Sequence, residues 1–167
     1  MREGGGVEGI HTDGFDVPEE AIDGLGHVNN REYLGWMQEV ATAHSAARGW
    51  PEERYLESGA TWVVRSHFVE YLRPAVLGDR LVVHTWVHTM EGSSSARRYL
   101  FLRERDGARI ARAETLWVFV QLPDGRPRRI PADLRAAFPL VEDRQVATVA
   151  GEGYGPPAGV GTPGGSR

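Results

Sequence analysis

The chain has 167 residues, 19 Lys and Arg against 23 Asp and Glu, a formal net charge of −4, and no cysteine. That length fits one domain with a real core. The acidic balance argues against nucleic acid as the main partner, and zero Cys excludes disulfides, a thiolate nucleophile and a thiolate metal site.

No apolar run approaches the length of a membrane span, and the N-terminus has no signal-peptide core, so the expectation is a soluble cytoplasmic protein without membrane contact. Residues 1–10 carry Gly4, Gly5, Gly6 and Gly9 with almost nothing to bury, and read as a flexible N-terminus. Phe15 and Val17, ending at Pro18, predict a short first strand. A helix is expected over 30–48, with Asn29 as its N-cap and Glu32 three residues on in a capping-box arrangement. Tyr33, Trp36, Met37, Val40, Ala41, His44 and Ala47 recur at spacings of three and four, which makes one apolar stripe. Gly49 suits the position after the helix, and Pro51 stops continuation. Residues 51–57 predict a further helical turn.

After Gly59 the texture changes. Thr61–Tyr71 and Leu81–Met90 are rich in β-branched and aromatic residues, and Pro74 with Gly78-Asp79 separates them. Ser93-Ser94-Ser95 reads as a turn. Arg97–Arg105 and Arg109–Gln121 flank Asp106-Gly107, a hairpin signal. A short helix is expected over 132–137. Ten of the last seventeen residues are Gly or Pro, so 148–167 reads as a disordered tail and 11–147 as the folded domain. The four later strands need an apolar cover, and only the stripe of helix 30–48 offers one. The expected class is therefore α+β, an antiparallel sheet of about five strands wrapped around one long central helix.

The chemistry concentrates in Asp23-Gly24-Leu25-Gly26-His27-Val28-Asn29-Asn30, followed by Tyr33 and Trp36. This run resembles the D-x-x-G-H-V-N-N-x-x-Y-x-x-W signature of hotdog-fold acyl-CoA thioesterases of the 4-hydroxybenzoyl-CoA thioesterase type. Phe68-Val69-Glu70-Tyr71-Leu72-Arg73-Pro74-Ala75 with Gly78-Asp79 matches that family's second block. The resemblance implies a hotdog fold, self-association as a dimer or tetramer, and hydrolysis of an acyl thioester to free acid and thiol without a cofactor. It makes Asp23 the base or nucleophile and the backbone N–H of Asn30 the holder of the thioester oxyanion. A carboxylate beside free N–H groups at a helix start suits that reaction.

His27 is a further candidate. Plant acyl-carrier-protein thioesterases share a similar octapeptide in which this His belongs to the active site, but they carry Asn where this chain has Leu25. Gly26 lets the backbone come close to a ligand. Glu39, on the flank of the helical stripe, reads as structural, and Ala21 stands where many relatives carry a second acid. Tyr33 and Trp36 are candidates for the acyl end, with Trp62 and Phe68 beside them. Ser95, Arg97 and Arg98 are candidates for phosphate or pantetheine contacts. No metal is expected, since His84 and His88 in a strand stand about 13 Å apart.

The substrate expected from the resemblance is an acyl-CoA. An acyl-carrier-protein substrate and a catalytically silent acyl-CoA-binding protein are the alternatives.

Overall fold

The computed structural model describes residues 6–151 and 153–158. A first strand, β1 (His11–Asp16), leads through a single 3-10 turn at Glu19–Ala21 to α1 (Glu32–Ala47) and α2 (Glu52–Glu57). Four long strands follow: β2 (Ala60–Tyr71), β3 (Arg80–Glu91), β4 (Ser94–Arg103) and β5 (Arg109–Gln121). Two short helices, α3 (Ala132–Ala137) and α4 (Asp143–Ala150), come last. The strands form one antiparallel sheet in the order β1-β3-β4-β5-β2, so β1 and β2 are its edges.

The apolar stripe of α1 lies against one face of this sheet. Tyr33, Met37, Val40 and Ala41 pack in one buried cluster with Leu81, Val83, Tyr99, Phe101 and Ala113. Their spacing follows the 3.6-residue helical period, and the sheet residues alternate along each strand, as a one-faced contact requires. The helix ends as its sequence implies: Gly49 takes a left-handed conformation (φ +86°) and Pro51 opens α2.

Strand β4 is buried on both faces. Its outer face is covered by the C-terminal segment. Trp86, Leu100, Leu102, Val141 and Val146 form a second apolar layer, with Tyr154 against the Trp86 ring at 5.6 Å.

Past residue 147, α4 continues to Ala150, and carbonyls of Gly153 and Gly155 accept hydrogen bonds from Arg109 and Arg112. Arginine donors on β5 supply the partners that this Gly- and Pro-rich sequence lacks in itself. Residues 1–5, 152 and 159–167 of the two expected flexible ends lie outside the described residues. Two expectations are corrected. Ser94 and Ser95 belong to β4, because the turn is made by Gly92 (φ +60°) and Ser93. The helix begins later than expected. Its N-cap is Arg31, and the Asn29 side chain accepts from the Arg31 N–H at 3.1 Å, closing a turn before the helix. Among the described residues no helix is long and apolar enough to cross a membrane.

Candidate active site

Residues 22–28 form a closed loop. Ile22 and Val28 make a bridge, the Asp23 N–H donates to the His27 carbonyl at 2.8 Å, and the Gly26 N–H donates to the Asp23 carbonyl at 3.0 Å. Gly26 sits at φ +78°, a conformation that a side chain would strain. The loop is pinned to its surroundings by Val28 N–H on the Ala75 carbonyl and Asn29 N–H on the Ala21 carbonyl, both at 2.8 Å.

This architecture orients the Asp23 carboxylate. Oδ1 accepts from the N–H of Leu25 at 2.9 Å and of His27 at 3.4 Å. Oδ2 has no hydrogen-bond partner among the described residues, which leaves one oxygen available to a ligand. Asn30 is held from both sides. The carbonyl of Asn29 accepts from the Glu32 N–H at 3.0 Å, and the carbonyl of Asn30 accepts from the Tyr71 hydroxyl at 2.8 Å. The Asn30 N–H itself has no acceptor among the described residues, and it lies exposed in the turn just before the Arg31 N-cap of α1. It is therefore a donor open to a ligand in the cleft.

Asp23, His27, Asn30 and Tyr33 line one cleft of about 490 Å³, together with Tyr71 and Arg73. The exposed His27 ring makes no hydrogen bond among the described residues. Tyr33 reaches the cleft but is a core residue, 2% exposed, with its ring edge-on to Trp36, Tyr71 and Phe101. Burial pushes its hydroxyl pKa well above the ordinary 10. Trp36 lies behind Tyr33, against Phe15, and is not part of the cleft wall. Glu39 is exposed on α1. The pairing of Tyr71 with Asn30 is not evident from sequence, although Tyr71 lies in the second matching block.

The other three candidates are elsewhere. Ser95 and Arg97 line a second cavity, of about 240 Å³, between the later half of α1 and the sheet. Its walls include Trp50, Tyr55, Trp62, Trp117 and Phe138. Arg98 points to the opposite face, where it is 7% exposed and bound to Glu114 at 2.8 Å and Asp143 at 2.6 Å. Strand alternation separates the two arginines, so they cannot share a ligand. Among the described residues no three of His, Asp and Glu come together to hold a metal ion.

Comparison with known proteins agrees with this architecture. Residues 17–138 match the family model of the thioesterase-like superfamily. The chain is 26% identical over 119 residues to the acyl-CoA thioester hydrolase YbgC of Escherichia coli O6:H1, covering 71% of this chain and 88% of the relative. A thioesterase from Thermus thermophilus, solved with coenzyme A and zinc, is 29% identical at a TM-score of 0.64. That match covers 76% of this chain and 90% of the other. A 1,4-dihydroxy-2-naphthoyl-CoA thioesterase from Synechocystis shares the fold at a TM-score of 0.71 and 21% identity, over 77% of this chain and 95% of the other. The sheet wrapped on one helix is thus the hotdog fold, and the chain belongs to the thioesterase-like superfamily.

Proposed function

We propose that this protein hydrolyses acyl-CoA thioesters at the cleft between Asp23 and the start of α1. The observation that carries the reading is the pairing, in one cleft, of a carboxylate oxygen and a backbone N–H, in the turn leading into α1, that the fold leaves unused. A thioester needs little more, because its leaving thiol has a pKa of roughly 8.5 and departs without strong acid assistance.

Acting as a base, Asp23 Oδ2 takes a proton from water as the water oxygen bonds to the acyl carbon. Negative charge moves onto the former carbonyl oxygen, where the Asn30 N–H holds it. The carbonyl re-forms, the carbon–sulfur bond breaks, and the thiolate takes up the proton. Acting as a nucleophile, Asp23 instead forms a mixed anhydride that water then hydrolyses. His27, on the rim of the cleft, is placed to contact the substrate in either route. Arg73 lines the same cleft and makes no ion pair among the described residues, which suits a phosphate of CoA.

The active form is a self-associated one, built by antiparallel pairing of β2 with β2 of a second copy. Strand β2 is an edge of twelve residues carrying Val63 and Phe68, 43% and 38% exposed. A long apolar edge of this kind calls for a cover. Thr61 and Trp62 at one end of β2 border the aromatic cavity, and Tyr71 at the other borders the Asp23 cleft. Antiparallel pairing places the first end against the second, so the cavity of one copy faces the cleft of the other.

The test is thiol release from a panel of short, long and aromatic acyl-CoAs, with acyl-carrier-protein thioesters beside them. Turnover of CoA esters supports the reading. Turnover of carrier-protein esters alone overturns the choice of carrier, and binding without release of thiol overturns hydrolysis.

A further inference from the structure

Arg97 is a buried cation without a counter-ion. It sits on the inner face of β4, 6% exposed, and no carboxylate lies within ion-pair distance of it among the described residues. Both acceptors it does find are neutral and both are reached by Nη1: His44 Nδ1 at 2.8 Å and Thr85 Oγ1 at 3.2 Å. Burial first, and then Arg97 itself, hold His44 down at about 3 rather than 6.5, so the imidazole stays an uncharged acceptor. The Nε and Nη2 donors have no acceptor among the described residues. That edge of the guanidinium is the one that takes a carboxylate through two parallel bonds.

The neighbouring Arg98 shows what this fold does with a buried arginine when its role is structural: it supplies Glu114 and Asp143. Arg97 receives neither. Beyond its bonds to His44 and Thr85 it has the Phe138 ring, 5.9 Å from its guanidinium carbon, and no negative charge. A desolvated guanidinium held this way is costly, and a ligand carrying the missing negative charge offsets that cost. Arg97 lines the aromatic cavity, whose one carboxylate neighbour, Glu52, is exposed and forms no ion pair with it. The cavity beside Arg97 encloses about 240 Å³.

We infer that Arg97 is the anion-recognising end of the acyl cavity, and that the acyl group it accepts carries a carboxylate remote from the thioester. The inference rests on the hydrolase reading above and narrows it to CoA thioesters of dicarboxylic acids. The aromatic walls take the connecting carbons, and Arg97 takes the terminal carboxylate.

The experiment compares glutaryl-CoA with pentanoyl-CoA, which have the same chain length and differ in the terminal carboxylate. The native full-length chain is expected to favour glutaryl-CoA in kcat/KM by about tenfold or more, the effect of a charge-assisted bidentate contact in a desolvated site. Arg97→Met is expected to abolish that preference by losing about tenfold or more kcat/KM on glutaryl-CoA relative to its loss on pentanoyl-CoA. A native preference for pentanoyl-CoA, or an equal loss on both esters in Arg97→Met, overturns the assignment. Calorimetric titration of native protein with glutarate and with pentanoate needs neither turnover nor a variant. Tighter glutarate binding without thiol release from any CoA ester overturns the hydrolase reading and leaves the Arg97 site standing. Thiol release without a glutarate preference overturns the Arg97 assignment alone.

Discussion

The Tyr71 hydroxyl donates to the Asn30 carbonyl at 2.8 Å, joining the end of β2 to the start of α1 across 41 residues. This bond holds the residue whose N–H is free at the cleft. Tyr71→Phe keeps the ring against Tyr33 and removes only the hydroxyl. A neutral hydrogen bond of this kind contributes about 0.5–1.5 kcal/mol, so kcat is expected to fall by about 3- to 10-fold with a small change in stability. Steady-state kinetics beside a urea titration checks both.

Arg98 anchors the C-terminal cover. It bridges Glu114 on β5 and Asp143 at the first turn of α4, with its side chain 7% exposed. Arg98→Met leaves Glu114, 14% exposed, without its cation. The expected cost is about 3 kcal/mol in urea denaturation, with kcat/KM within about twofold of native because the cleft is on the other face.

Acid weakens the fold through His44. Burial and Arg97 hold its folded pKa at about 3, below the 6.5 of the unfolded chain. The unfolded chain therefore binds the proton more readily, and this contribution is complete above pH 6.5 and is lost as pH falls from there toward 3. Between pH 7 and pH 5 the loss is about 2 kcal/mol. Burial also lowers His11, His67 and His84, which act in the same direction. His44→Asn retains an acceptor for Arg97 and is expected to flatten the pH dependence by about that amount, read from denaturation curves at the two pH values.

Self-association is tested at the β2 edge. Lysine at both Val63 and Phe68 places charge on the exposed apolar positions without touching the Asp23 loop. Sedimentation is expected to show the native chain as a dimer or larger and the double variant as a monomer. Activity is expected to fall by about tenfold or more, as each cleft loses the cavity opposite it. A monomer with native activity would contradict the shared site.

The sequence announces those parts of the molecule in which one period has one meaning. The stripe of α1 is legible because Tyr33, Met37, Val40 and Ala41 face a single partner, the sheet. The strands β2 to β5 are legible from β-branched runs between glycine turns. The loop around Asp23 is legible only through its resemblance to a known motif, since composition makes it an ordinary turn. Strand β4 hides its two faces because both are buried, and Arg97 and Arg98 then look alike in the chain. Only register separates them: Arg97 stands opposite Val87 and Arg98 opposite Trp86. The ordering of residues 153–158 is illegible for a related reason, as its partners are Arg109, Arg112 and Glu70, distant side chains that local composition does not report.

The most direct measurement of the central claim is thiol release from acyl-CoA by the native chain and by Asp23→Asn at matched folded concentration. Asparagine retains an acceptor for the N–H groups of Leu25 and His27 and removes the basic oxygen that faces the cleft. The account predicts a loss of about 10²- to 10⁴-fold in kcat, the usual contribution of a positioned base, with the fold intact. Native turnover by Asp23→Asn would contradict it and move the chemistry away from this loop.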